Sequence, residues 1–151
     1  MTDFREITRA FYVARQLDEA DIARAAHLGF RTIINNRPDG EEDGQPAART
    51  LQKMAMAHGM AYYHLPVRGF QITDDAAVSA FDWALRRFDE PVLAFCKSGT
   101  RSAMLWAQAL AGNHEADDIL RLAAAAGYDL EILRDELEER MAEGRRQEEA
   151  A

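Results

Sequence analysis

Apolar positions recur along the chain at two periods, and the two alternate. In residues 4–14, FREIT and AFYVA carry the pattern of two short strands or one bent strand. Leu17, Ile22, Ala25, Ala26 and Leu28 then return at helical spacing, with Gly29 placed to close a helix. RTIIN (31–35) is a β-rich apolar run and predicts a buried strand. NRPDGEEDGQP (36–46) gathers Asn, Pro, Asp and Gly, and predicts a loop. The helical period resumes over 47–58 and stops at Gly59, and AYYHLPV (61–67) reads as the next strand. Thr73 is placed to cap a helix running to about Phe88. PVLAF (91–95) is short and uninterrupted, as a central strand is, and helices follow over 102–111, 117–126 and 130–143.

Strand and helix therefore alternate four times, which predicts a single α/β domain with a central, mostly parallel sheet flanked by helices. That domain is expected to occupy residues 1–143, with RRQEEAA and its preceding glycine (144–151) as a frayed tail. A chain of 151 residues is long enough to bury a core without staples. Its one cysteine leaves no partner for an internal disulfide, which argues for a reducing compartment. No apolar run approaches the ~18 residues of a membrane span, and MTDFREITRAFYVARQ lacks the apolar centre of a signal peptide. A cytoplasmic location with no membrane partner is the expectation. A net charge of −8 argues against nucleic acid as a partner, since phosphate contacts need a basic face.

The sharpest local feature is Phe95-Cys96-Lys97-Ser98-Gly99-Thr100-Arg101-Ser102, set between a predicted buried strand and a predicted helix. At such a junction several backbone N–H groups converge, and the helix terminus adds partial positive charge. Gly99 permits a positive φ or a close approach to ligand. The expected product is an anion-binding nest with the Cys96 sulfur at its base. A guanidinium ~4 Å from that sulfur, at an effective dielectric of ~20, would favour the thiolate by about 4 kcal/mol. Arg101 and the helix terminus could thus activate the cysteine without a histidine. The plainer reading is a structural cysteine buried at a strand end.

CKSGTRS resembles the anion-binding signature of cysteine-dependent phosphatases and of rhodanese-like sulfurtransferases. Together with IINNRPDGEEDGQP (33–46), YYHLPV, PVLAFCKSGTRSAMLW and YVARQL, it is similar to a small bacterial family. That family is the phosphatase-like domain named after beta-lactamase hydrolase-like proteins, whose members are also described as sulfur transferases. The resemblance covers roughly residues 3–111. It implies a fold like that of dual-specificity tyrosine phosphatases. It also implies Cys96 as nucleophile, the amides of Lys97, Ser98, Gly99, Thr100 and Arg101 as an oxyanion cradle, the Arg101 side chain as its clamp, and Ser102 as a hydrogen-bond donor to the thiolate.

Three departures from the phosphatase pattern turn the expectation towards sulfur. Four residues separate Cys96 from Arg101, not five; Phe95 replaces a histidine; and no aspartate follows HLPV, where Arg68, Gly69, Phe70 and Gln71 stand, with Asp74 and Asp75 only later. Phosphomonoester cleavage gains ~10²–10⁴-fold from a positioned acid, whereas sulfite or a thiolate leaves readily without one. The first expectation is therefore a sulfurtransferase. It would carry sulfane sulfur as a Cys96 persulfide from a small donor, such as thiosulfate or a persulfide, to an external thiol, with no cofactor. The alternatives are a phosphatase acting on a phosphoester through a phosphocysteine, and a non-catalytic oxyanion-binding module.

Further candidates lie on neighbouring loops. Arg37 could bind an anionic substrate, and Asp39 or Glu41 could donate a proton; equally, they could pair with one another and fix the turn. His64 lies on a strand pointing towards the same crevice and is a candidate base, and Arg68 could line the site. The four histidines show no metal-ligand spacing, so no metal is expected. Trp83 and Trp106 are expected to pack on the sheet, and Ile132, Leu133 and Leu137 to form an apolar stripe.

Overall fold

The computed structural model describes residues 1–87 and 91–151. Five strands, β1 (Arg5–Thr8), β2 (Phe11–Ala14), β3 (Thr32–Asn35), β4 (Ala61–His64) and β5 (Val92–Phe95), form one sheet in the order β1-β2-β5-β3-β4. Only β1 runs antiparallel; β2, β5, β3 and β4 are parallel. The α/β expectation holds.

The pleat sends successive side chains to opposite faces, and here both faces are apolar. Ile33, Leu93 and Phe95 enter one core with Ala14, Leu17, Ile22 and Leu51. That face is covered by α1 (Glu19–His27) and α2 (Ala48–Ala57), which pack against each other. Phe11, Val13, Ile34, Val92 and Ala94 enter the other core. It is roofed by α3 (Asp75–Leu85), α4 (Thr100–Leu110), α5 (Ala116–Ala125) and α6 (Arg134–Ala150). Phe11 stacks on Trp106 with centroids 5.8 Å apart and planes 2° from parallel, so the α4 tryptophan is locked to the sheet.

Several predicted boundaries move. The cap of α3 is Asp74, not Thr73, and the helix ends at Leu85; Phe88 lies outside the described residues. Helix α4 starts at Thr100, two residues earlier than its periodicity suggests, because it is nucleated by the left-handed Gly99. The expected tail continues α6 to Ala150: Gly144 lets the helix pass close to Gly112, and Arg145 pairs with Glu115 at 2.8 Å. Trp83 stands half exposed at the sheet edge, edge-on to Tyr63, rather than packed into the core. In the expected apolar stripe Leu133 and Leu137 are buried, but Ile132 points outward. No helix among the described residues is long and apolar enough to cross a membrane.

The register brings Ala14, Asn35 and His64 level with Phe95, directly or through one intervening strand. The chain therefore leaves four parallel strands at one edge of the sheet, as α/β ligand sites require. Trp106→Ala is expected to cost about 3–5 kcal/mol, read as a lowered urea midpoint with little change in m.

Candidate active site

The loop 96–99 bridges β5 and α4. Cys96 is wholly buried, as a core cysteine would be, yet its sulfur has a polar partner: the Gly99 N–H donates to it at 3.1 Å. Gly99 has φ +93°, and a Cβ there would lie 2.3 Å from the Tyr128 hydroxyl and 2.9 Å from Val13 Cγ1. Both the conformation and the space demand glycine. Around it, the Ser98 hydroxyl donates to Thr100 Oγ1 (3.1 Å), and Lys97 extends into solvent 3.8 Å from Glu42.

Arg101, in the first turn of α4, is held on two sides. Its Nη1 donates to Glu41 Oε2 (2.9 Å) and to the Val67 carbonyl (2.8 Å), and its Nη2 donates to Glu41 Oε1 (2.8 Å). Glu41 also accepts from Arg37 Nε at 2.9 Å. Two guanidiniums thus hold the Glu41 carboxyl down at about 2, with the Arg101 hydrogen bond as the chief cause. Arg101 is in turn favoured in its charged form, first by Glu41 and further by the nearby Cys96 sulfur.

Arg37 is not a substrate-facing group. Its side chain is 1% exposed and spends its donors on Glu41, Glu42 Oε1 (3.1 Å) and Gln16 Oε1 (3.0 Å). A guanidinium buried this deeply needs such neutralisation, because an unpaired buried charge costs several kcal/mol. The candidate proton donors are engaged as well. Glu41 is ionised. Asp39 Oδ1 accepts the Ala48 N–H (2.9 Å) and closes the start of α2. His64 Nε2 lies 2.8 Å from the Arg37 carbonyl; a carbonyl only accepts, so that nitrogen carries the proton. Asp75 pairs with Arg140 at 3.2 Å and is exposed.

Ser102 is buried beneath the loop, but its hydroxyl donates to Asn36 Oδ1 (2.8 Å), not to Cys96. Asn36 is the residue that sequence reasoning undervalues. Its N–H donates to the Phe95 carbonyl (2.8 Å), its Nδ2 to the Leu65 carbonyl (2.9 Å), and its carbonyl accepts the Val67 N–H (3.0 Å). It fastens the ends of β3, β4 and β5 together. The only signal for it is a polar residue directly after a fully buried strand. Gln16 and Tyr128, which wall the loop through Arg37 and Gly99, carry no signal at all.

The loop, its arginine and the sheet edge that holds them are the features by which this chain can be compared with others. The model of the family described as "Beta-lactamase hydrolase-like protein, phosphatase-like domain" matches residues 3–113. The chain belongs to that family. A beta-lactamase hydrolase-like protein of Xylella fastidiosa is 38% identical to this phosphatase-like domain over 127 residues, 83% of the chain. The match takes up 29% of that relative, so the chain spans under a third of its length. A Neisseria meningitidis protein described as a candidate phosphatase superposes with a TM-score of 0.80 at 34% identity, covering 91% of this chain and 97% of its own. Kinase associated phosphatase, solved with its catalytic-site cysteine replaced by serine, shares the fold at 14% identity with a TM-score of 0.71, covering 94% and 96%. The phosphatase-like domain therefore has the dual-specificity phosphatase fold. Among its described residues no three His, Cys, Asp or Glu side chains converge as a metal-holding group.

Glu41 carries a pH signature. A carboxyl whose value falls from 4.5 to about 2 on folding stabilises the fold fully above the higher value and loses that contribution as pH falls towards the lower one. The difference in Tm between the wild-type domain and Glu41→Gln is accordingly expected to be widest above about pH 5 and to shrink between pH 4.5 and 2, by differential scanning fluorimetry. A gap independent of pH would show that Glu41 is not held ionised by its arginines.

Proposed function

We propose that this phosphatase-like domain is a cysteine-dependent phosphomonoester hydrolase. One observation carries the reading: at the floor of one loop, the Cys96 sulfur accepts the Gly99 N–H while Glu41 and the Val67 carbonyl lock the Arg101 guanidinium alongside. A phosphoryl group needs a nucleophile below it and fixed positive charge around its equatorial oxygens, with little else from the protein. In the first step the Cys96 thiolate forms an S–P bond as the P–O bond to the leaving group breaks, its electron pair departing with the oxygen. In the second, water attacks phosphorus, the S–P bond breaks with its electrons returning to sulfur, and inorganic phosphate is released. Arg101 and the amides of residues 97–101 oppose the charge in both. This ranks phosphate above the sulfur transfer favoured by the loop length, because family and fold both support it.

The engaged state of Glu41, Asp39 and His64 limits the leaving group. None is free to protonate a departing alkoxide, so phenolic esters suit the site better than alkyl ones. The same observation favours sulfur transfer as a second reading. There the Cys96 thiolate attacks the outer sulfur of thiosulfate, sulfite leaves with the S–S electron pair, and an acceptor thiolate later removes the sulfur.

Both readings are separated by assaying aryl-phosphate hydrolysis and thiosulfate-to-thiol transfer on wild type, Cys96→Ser and Arg101→Ala. Phosphate turnover should vanish in Cys96→Ser and fall about 10²–10³-fold in Arg101→Ala. Hydrolysis that survives Cys96→Ser would sink the proposal. Absence of hydrolysis, together with an adduct of about 32 Da on Cys96 after thiosulfate, would establish the second reading.

A further inference from the structure

Beside the loop, on the α4 side, lies an open groove of about 730 Å³. Phe70, Ile72, Met104, Ile132 and Leu133 supply its apolar lining. Phe70 and Ile132 come from two separate single-turn 3₁₀ helices, Gly69–Gln71 and Glu131–Leu133, and are 81% and 84% exposed. Large apolar side chains normally turn inward, and two lining one groove are a ligand surface rather than scattered exposure. One end of the groove is walled by Thr100 and Arg101, so it opens directly onto the anion site.

We infer that this groove binds the leaving-group side of the substrate, and that the substrate is a small phosphomonoester on an extended apolar carrier. The inference rests on the phosphatase reading and names its substrate class. Its volume lies in the range of pockets for drug-sized ligands, far beyond what a phosphoryl group fills. The lining decides the chemistry. Glu41, the carboxylate at the inner end, is paired with two arginines, whose charge offsets its repulsion of the ester. Thr73 apart, the lining away from the anion site and Arg68 is mainly hydrocarbon and a thioether, which suit a ring or alkyl chain. A polypeptide would bring a repeating row of backbone N–H and C=O groups, more than the few polar groups of this lining can pair. Arg68, at the rim, has no ion-pair partner among the described residues and adds positive charge at the entrance.

The test is a series of 4-alkylphenyl phosphates, methyl to butyl, used below their aggregation limit. Their leaving groups are nearly equal in acidity, so only the apolar length changes. KM should fall on the order of tenfold from methyl to butyl. In Phe70→Ala and Ile132→Ala, both at exposed positions, the methyl-to-butyl KM ratio should collapse towards one. Equal kcat/KM along the series would overturn the groove while leaving the phosphatase intact. So would a phosphotyrosyl peptide preferred over the butyl ester with that preference lost in Phe70→Ala, which would assign the groove to polypeptide. If no phosphate ester turns over, the phosphatase reading fails alone, and calorimetry with the matching 4-alkylphenyl phosphonates decides the groove: affinity rising with chain length supports it, and constant or absent binding overturns it.

Discussion

Everything at the sheet edge depends on the Glu41 carboxylate. Its two oxygens accept from Arg37 and, in a forked pair, from Arg101. Through it, the loop after β3 and the loop after β5, sixty positions apart in sequence, become one rigid body. Each charge solves a problem the others create. Arg37 can be buried only because carboxylates neutralise it, and Arg101 can hold one orientation only because Glu41 removes its freedom to sample others. A fork of two parallel hydrogen bonds fixes the guanidinium plane as well as its position, which a single contact to a carbonyl would not.

What was legible in the sequence follows from how local each determinant is. The strands β3 and β5 were readable because both faces are buried, so their apolar residues run together, and the loop after β5 was readable because cysteine, glycine and arginine fall within six residues. Gly99 could be assigned a left-handed role from position alone, though not the Tyr128 hydroxyl that makes any side chain impossible there. The loop after β3 showed its charges but not their partners. For Arg37 an anion receptor and a turn brace paired with its own carboxylates were both open; it is the brace, and only its contact with Gln16 has no local signal. Ser102 was expected at the sulfur and serves Asn36, because the choice is made by a residue sixty-six positions away. Helix α6 outran its predicted end because what holds its last turns, the Gly144–Gly112 approach and the Arg145–Glu115 pair, is tertiary and invisible to periodicity.

Clamp and acid are incompatible roles for one carboxylate. To fix Arg101, Glu41 must stay charged through neutral pH; to protonate a leaving group, it must hold a proton there. The arginines decide the matter by lowering its value to about 2. On the proposed reading, a site of this kind acts by charge placement rather than by proton transfer from Glu41, which suits leaving groups that depart unaided. Phenoxides and sulfite share that property, which is why phosphate and sulfur chemistry remain neighbours on this scaffold.

The same clamp bears on which anions the loop can hold. Arg37, Arg101, Glu41 and Glu42 form a cluster whose formal charges cancel before any substrate arrives. An incoming anion therefore meets no free guanidinium; it must compete with Glu41 for the field of Arg101, using the loop N–H groups and the terminus of α4 as its own advantage. A dianion gains about twice as much from those fixed dipoles as a monoanion does, while the repulsion from Glu41 is met at the far side of Arg101 and is partly shielded by it. On the proposed reading, the neutralised cluster favours a doubly charged group, and the apolar groove next to it would supply much of the remaining binding energy.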